Sequence, residues 1–352
     1  MLRAYAQLLR LPNVFTAWAD VLMGWMVAGG LSYFLGMAAN GTPRPMIPGT
    51  LAEVPRAFEL LSIGALLACS ACLYSAGMVW NDFFDVEQDR RERPWRPIPS
   101  GKVSRRAAAV LGTSLVFVGL ALSVVGPTYT DKFRFLPALI SAALVCSIFG
   151  YDGLAKQNWA GPFVMGLCRF WNVLLGMSVV TLPLDSELRH AASVVAIYIV
   201  GVTLFARKEA QTSRRVDLCA GAAVILGAVI LAIFLPMYRW SIRISPGLEE
   251  DEWLRGILLA TSWSVSGLPA ESYAARLYIP LLLSWALIIG SPVYRAIRDP
   301  SPQRVQTAVK TCILGLIGLD ALMAFCVVGW PGLLILLLLP PALILGKWVY
   351  ST

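Results

Sequence analysis

Apolar stretches long enough to cross a lipid bilayer recur along almost the whole chain. Each runs for roughly 16 to 25 residues between breaks rich in Arg or in Gly and Pro, whereas a strand of a membrane barrel needs only about 10 residues of alternating polarity. With 57% hydrophobic and 14% charged residues, the chain is too apolar for a soluble domain of its length. The pattern therefore predicts an all-α, polytopic transmembrane helical bundle.

We expect nine or ten spans within a single integral membrane domain that covers residues 1–352. Both numbers fit the pattern because the last stretch is short and contains Pro340 and Pro341. The expected spans are 15–39, 58–80, 107–126, 135–150, 161–183, 191–206, 218–236, 278–294, 308–328 and 332–346.

The net charge of +8 follows the expected topology and does not indicate a nucleic-acid partner. If the N-terminus is cytoplasmic, Lys and Arg are concentrated in the cytoplasmic segments, as the positive-inside rule requires. The predicted cytoplasmic loops are then 81–106, 151–160 and 207–217, and we expect them to cap a cavity in the bundle. The acidic run at 249–252 falls in an outer segment and is interpreted as a solvated face.

Cysteine and histidine offer little metal or redox chemistry. All seven cysteines fall in apolar segments, where thiols serve as small packing residues, so we expect no disulfide framework. A single histidine, His190, argues against a zinc site built on imidazole.

The most informative stretch lies where the second span meets the cytoplasm. At about 100° per residue, Asp82, Asp85 and Asp89 fall on one face of a helix. Like charges on one face repel, and at membrane depth each costs about 2.5 to 3.5 kcal/mol, so a bound cation explains the arrangement. Oxygen ligands indicate Mg²⁺, which would bridge this face to substrate phosphates. The alternative is a solvated helix end whose acids pair with nearby arginines.

A stiff loop that carries cations follows the aspartates. Its prolines and Gly101 break any helix. Arg93, Arg96 and Lys102 are fixed on this loop, and such cations suit the oxygens of a phosphate. The alternative is that they only satisfy the positive-inside rule.

These motifs resemble those of a known family. The pattern N-D-x-x-D-x-x-x-D, which begins at Asn81, and the following R-P-I-P-S-G resemble the first aspartate-rich motif of the UbiA superfamily of intramembrane prenyltransferases. The run Y-D-G-L-A-K at 151–156 resembles the Y-x-x-x-K loop of that family, and residues 9–13 resemble its entry to the first helix. The stretches 11–20 and 166–172 are most similar to the EboC branch, a UbiA-like bacterial group.

The resemblance implies a UbiA-like fold in the bacterial inner membrane and a Mg²⁺-dependent transfer of an isoprenoid group. The donor would be a prenyl diphosphate, and the acceptor a lipophilic or aromatic molecule in the membrane. Lys156 and Arg96 would stabilise charge as the allylic C–O bond breaks, and Tyr151 or Asp152 would orient or deprotonate the acceptor. The implied catalytic residues are Asp82, Asp85, Asp89, Tyr151 and Lys156, with Asn81 among the substrate-binding residues.

The second acidic motif of the family is weak in this chain. The loop after the sixth span offers only Glu209 and the more distant Asp217 as ligands for a second metal. Arg207, Lys208 and Arg214 would instead contact the diphosphate directly and replace metal charge. This departure favours one alternative function, a non-catalytic UbiA-like carrier or accessory protein that binds or moves a lipidic or aromatic precursor. A secondary transporter would need interrupted helices repeated in two halves, which the sequence lacks.

Charged residues also lie inside the apolar spans, where they suggest function. Arg169 and Asn172 are three residues apart and share a helix face, so with Asn13 and Asp20 they would line a substrate pocket beneath the loops. The alternative is that Asp20 and Arg169 form a buried pair that fixes helix packing.

Overall fold

The computed structural model describes residues 1–31, 56–125, 135–156, 158–180, 186–207, 213–236 and 271–350. These residues form helices and no β-strand. The α-helices in the described ranges are α1 (Leu2–Leu8), α2 (Leu11–Val27), α3 (Arg56–Phe84), α4 (Val86–Glu92), α5 (Arg105–Val125), α6 (Leu136–Gly150), α7 (Gly161–Met177), α8 (Ser186–Ala206), α9 (Arg215–Ile233), α10 (Glu271–Arg298), α11 (Pro302–Val328) and α12 (Leu339–Tyr350). A π-helical turn, Tyr151–Ala155, follows α6, and a 3-10 segment, Trp330–Leu338, joins α11 to α12.

The predicted transmembrane bundle is confirmed. In the described ranges, eight helical segments are long and apolar enough to cross a membrane, and each coincides with one of the expected spans. The other two expected spans overlap α2 and α7, which have 17 residues each. The end of the first expected span and the acidic run at 249–252 lie outside the described residues.

Helices α2 and α11 lie at the centre of the bundle. Helix α2 packs against α3, α7, α11 and α12, while α11 also packs against α8, α10 and the 3-10 segment. Every residue of α11 from Leu316 to Cys326 is buried, so this helix forms much of the core.

Two glycines bring α2 and α7 into very close contact. A Cβ added to Gly24 would lie 2.3 Å from the carbonyl oxygen of Val173, and one added to Gly176 would lie 2.1 Å from that of Val21. Small residues at such crossings let helix backbones approach in a membrane. The close approach fixes the relative positions of the two helices that carry Asp20 and Arg169.

The short helix α1 is joined to α2 by one residue in the left-handed conformation. Arg10 has φ 47° and ψ 46°, a region that costs a non-glycine residue roughly 1–2 kcal/mol. Two side chains of α1 reach the C-terminal helix: Arg3 and Gln7 donate to the Val349 carbonyl at 3.3 and 2.8 Å. These contacts hold α1 against α12.

Candidate active site

A cavity of about 830 Å³ lies between helices α2, α3, α6, α7, α8 and α11. Its lining is charged where α3, α4 and the π-helical turn meet and is apolar between α6, α8 and α11. We call the first part the charged end, which is lined by Arg10, Asp85, Asp89, Glu92, Arg93, Arg96, Asp152, Lys156 and Arg207. The apolar lining includes Leu144, Ile148, Ile199, Val202, Val309 and Ile313.

The helical path continues from α3 into α4 through Asp85. The amide of Asp85 donates to the carbonyl of Asn81 at 3.0 Å, and the amide of Asp89 donates to the carbonyl of Asp85 at 2.8 Å. The predicted sharing of one face is seen directly for two of the carboxylates, because the same nitrogen of Arg96 donates to Asp82 at 3.1 Å and to Asp89 at 2.7 Å. We refer to Asp82, Asp85 and Asp89 as the aspartate cluster.

Each member of the aspartate cluster is paired with a cation from another segment. Arg10 donates to Asp82 at 3.3 Å, and Lys156 donates to Asp85. The carboxylates of Asp82 and Asp89 are only 5% exposed, so these pairs compensate charges that would otherwise be costly to bury. A metal ion at this site would therefore compete with these cations for the carboxylates, and a phosphate would compete with the carboxylates for these cations.

Burial raises the pKa of Asp89 above its ordinary value, and the nearby charges of Asp82 and Asp85 act in the same direction. The guanidinium of Arg96 opposes this rise. Additional positive charge near Asp89 would therefore stabilise its ionised form.

The π-helical turn brings two polar side chains to the cavity. Tyr151 and Asp152 both line it, and Asn81 donates from its side-chain amide to Asp152 at 3.0 Å. Single π-helical turns often occur at functional sites because they redirect side chains from a regular helix. The turn also positions Lys156, which lies one residue beyond its end.

A second polar network lies deeper in the bundle. Arg169 donates to Asp20 at 2.9 Å and to the Thr16 hydroxyl at 3.0 Å. Asn172 donates to Asp20 at 2.9 Å and accepts from the Ser70 hydroxyl at 2.7 Å. Arg169 and Asn172 line the cavity, whereas Asp20 is fully buried behind them. The buried pair expected as the alternative is thus present, and its Arg169 also faces the cavity.

The remaining candidate residues are distributed as follows. Asn13, Arg93 and Arg207 line the cavity. Lys102 and Arg214 are exposed and are not part of its lining, because Lys102 lies beyond the bend of the loop and Arg214 immediately precedes α9. Lys208 and Glu209 lie outside the described residues, so Glu209 as a metal ligand stays a prediction.

Two residues of interest were missed by sequence reasoning. Arg10 lines the cavity and contacts Asp82. Its sequence signals were a cation shortly before the first apolar span and its place within residues 9–13, the stretch that resembles the family's entry to the first helix. Asp320 is fully buried in α11. Its position inside an apolar span was a signal that could have marked it as functional.

The donor set of the charged end fits Mg²⁺ in its chemistry. Within the described ranges, no group of three or more His, Cys, Asp or Glu side chains is arranged to hold a metal ion, since cations pair with the aspartate cluster. Mg²⁺, however, usually takes only one or two carboxylates together with waters and substrate phosphates. Asp85 and Asp89 are the members of the cluster that line the cavity.

The fold defines a polytopic membrane protein with a cavity that is charged at one end and largely apolar along the rest. The chain belongs to the UbiA prenyltransferase family, whose sequence profile matches residues 44–308.

Sequence similarity to two named synthases covers about half of the chain. It is 33% identical over 175 residues to the digeranylgeranylglyceryl phosphate synthase of Saccharolobus solfataricus, a match over 50% of this chain and 51% of the relative. It is 29% identical over 188 residues to the synthase of the same name from Methanococcus maripaludis, over 48% of this chain and 59% of the relative. The chain therefore spans only about half the length of these relatives.

Solved structures show the same fold over nearly the whole chain. A structure of digeranylgeranylglyceryl phosphate synthase in membranes matches with a TM-score of 0.51 at 18% identity, covering 93% of this chain and 98% of that chain. A UbiA homologue from Archaeoglobus fulgidus matches with a TM-score of 0.50 at 14% identity, covering 90% and 99%. The predicted UbiA-like fold is confirmed, while the EboC branch stays a prediction.

Proposed function

We propose that this chain transfers an isoprenoid group from a prenyl diphosphate to a lipophilic or aromatic acceptor within the membrane, with Mg²⁺ as cofactor. The observation that carries the proposal is the charged end, where five cations and four carboxylates line one end of an otherwise largely apolar cavity. The family supports it, as does the Archaeoglobus fulgidus homologue, which was solved bound to GPP and Mg²⁺. The named relatives are synthases of a prenylated glyceryl phosphate.

The two parts of the cavity suit the two parts of a prenyl diphosphate. Arg93 and Arg207, with the other cations of the charged end, would bind the phosphate oxygens. The apolar lining would hold the isoprenoid chain, whose burial contributes about 0.8 kcal/mol for each CH₂ group. Of the proposed ligands Asp82, Asp85, Asp89 and Glu209, Asp85 and Asp89 would hold Mg²⁺ from the cavity side. When bound, the ion neutralises negative charge on the diphosphate.

Lys156 and Arg96 are the proposed stabilisers of the leaving group. Both now donate to aspartates, and a diphosphate would give these donors alternative acceptors of higher charge. As the allylic C–O bond breaks, its electron pair passes to the diphosphate oxygen, where fixed cations stabilise it. The apolar lining excludes water that would otherwise capture the allylic carbon.

Asp152 is the proposed acceptor of the proton that the acceptor molecule loses. Its side chain lines the cavity beside Tyr151 and is held by Asn81. A carboxylate that is fixed in this way can accept a proton as the new bond to the allylic carbon forms. Tyr151 would orient the acceptor through its hydroxyl.

We also propose the location and the topology. The chain would act as one integral membrane domain in a bacterial inner membrane, surrounded by lipid, with its N-terminus cytoplasmic. The loops 81–106, 151–160 and 207–217 would then cap the charged end from the cytoplasm, since Lys and Arg are enriched there.

A non-catalytic carrier remains the second candidate function. It is favoured by the compensation of the aspartate cluster by the chain's own cations. Such a protein would use the same cavity to bind a lipidic or aromatic precursor, without turnover.

The test is binding of a non-hydrolysable farnesyl or geranylgeranyl diphosphate analogue to purified protein, with and without Mg²⁺. We expect Mg²⁺-dependent binding that Asp85→Ala abolishes. Asp299→Ala is the matched control, because Asp299 pairs with Arg304 at 3.1 Å on the surface and is 51% exposed. Release of diphosphate from the natural donor, in the presence of membrane extract as a source of acceptor, separates an enzyme from a carrier. No binding of such analogues across a range of chain lengths, in protein shown to be folded, would rule out prenyl transfer.

A further inference from the structure

Two aspartates face each other in the apolar core behind the cavity. Asp20 on α2 and Asp320 on α11 are both fully buried, and their carboxyl groups lie within hydrogen-bonding reach of one another. Among the described residues, neither oxygen of Asp320 and only one oxygen of Asp20 has a hydrogen-bond donor. Three buried carboxyl oxygens therefore accept no hydrogen bond from the described residues.

The charges around this pair do not balance if both carboxyls are ionised. In the described ranges, the charged group that interacts with the pair is the guanidinium of Arg169. Tyr198 on α8 is a neutral neighbour of Asp320 whose hydroxyl donates to the carbonyl of Cys312. Two carboxylates and one guanidinium carry one net negative charge, which costs several kcal/mol to bury in an apolar medium.

One additional positive charge resolves the imbalance, and a proton fits better than a metal ion. Mg²⁺ and Ca²⁺ would add two positive charges where one is needed. Each would also need waters to complete its six or more oxygen ligands, whereas both carboxyl groups are fully buried. A proton needs only two oxygens, since the hydroxyl of a protonated carboxyl donates to the oxygen opposite. Two carboxyl groups in contact commonly hold one proton between them for this reason.

We propose that Asp20 and Asp320 form a proton-binding site inside the membrane and share one proton. The hydroxyl of Asp320 then donates to the free oxygen of Asp20, while the other oxygen of Asp20 accepts from Arg169 and Asn172. Asp320 is thereby a positioning residue. It touches no substrate, but it keeps Asp20 satisfied on both sides, so that Asp20 can fix the guanidinium and amide groups at the deep lining of the cavity.

The proposed proton site consists only of side chains of this chain, so it does not depend on the proposed prenyl transfer. Its direct test is the infrared spectrum of the purified protein at neutral pH, in H₂O and in D₂O. We expect a carbonyl band of a protonated carboxyl group that shifts on deuteration and is lost in Asp320→Asn. The asparagine keeps the shape of the side chain and an N–H donor for Asp20 but carries no titratable proton. Asp299→Asn, on the surface, should leave the band unchanged.

Two further measurements separate this role from simple packing. Asp320→Leu removes the donor to Asp20, so we expect it to unfold at a clearly lower temperature than Asp320→Asn. In the wild type, the carboxyl band should persist at pH values at which exposed carboxyl groups are ionised. An unchanged band in Asp320→Asn, or no persistent band in the wild type, would overturn the proposal. So would stability that depends on Na⁺ in place of the proton.

Discussion

The Nη1 atom of Arg96 lies 2.7 Å from the Oδ2 atom of Asp89, so the loop after α4 folds back onto the helix that precedes it. The same nitrogen also reaches Asp82. One side chain therefore joins the end of α3, the helix α4 and the stiff loop.

Replacing Arg96 with alanine should leave two nearly buried carboxylates with reduced compensation. We expect Arg96→Ala to lower the free energy of unfolding by about 3 kcal/mol, as is typical when one member of a buried ion pair is removed. The double variant Arg96→Ala/Asp89→Asn should lose less than the sum of the single variants, because the uncompensated charge is gone. Thermal or denaturant unfolding in detergent measures both. Additive losses would contradict direct coupling between the two residues.

The left-handed conformation of Arg10 predicts a difference between two small replacements. Arg10→Gly and Arg10→Ala both remove the contact with Asp82, but only glycine adopts φ 47° without steric cost. We expect Arg10→Gly to be more stable than Arg10→Ala by about 1 kcal/mol. Unfolding of the two variants under identical conditions gives the difference. Equal stability would indicate that no strain is stored at this junction.

The crossing of α2 and α7 should not accept even one methyl group. A Cβ at Gly176 would lie 2.1 Å from the Val21 carbonyl oxygen, and backbone atoms move only with their helix. We expect Gly176→Ala to destabilise the protein by about 1–3 kcal/mol and to disturb the Asp20–Arg169 pair. Gly227→Ala is the control, because a Cβ added there would meet nothing within 4 Å; helix propensity should make it neutral or stabilising by up to about 1 kcal/mol. Similar losses in both variants would contradict a steric cause.

The raised pKa of Asp89 predicts a pH dependence of stability. Between the ordinary aspartate value of 3.8 and the raised pKa, the folded state binds more protons at this residue than the unfolded state does. Stability contributed by Asp89 is therefore lost as the pH rises through this window. Asp89→Asn should remove this contribution and flatten the dependence. Unfolding temperatures of both proteins across mildly acidic pH, in metal-free buffer, provide the measurement, and parallel curves would refute it.

Local periodicity was sufficient to predict much of the fold and part of the site. The spacing of Asp82 and Asp89 predicted a shared face, and that of Arg169 and Asn172 predicted a common lining, because both patterns depend only on helix geometry. Contacts between distant segments were not predictable in this way. Arg10 meets Asp82 across 72 residues, and Asp320 meets Asp20 because α2 and α11 pack together, which no short-range pattern encodes.

The pairing of the aspartate cluster with the chain's own cations has a consequence for ionic strength. If Mg²⁺ and a diphosphate enter together, the carboxylates exchange their cations for Mg²⁺ and the cations exchange their carboxylates for phosphate oxygens. Before binding, carboxylates already balance much of the positive charge at the site. Long-range attraction of the substrate is then weak, so the affinity should change little between low and physiological salt. Recognition at this site would depend on short-range contacts and on the apolar chain of the ligand, and the site itself would not concentrate soluble anions.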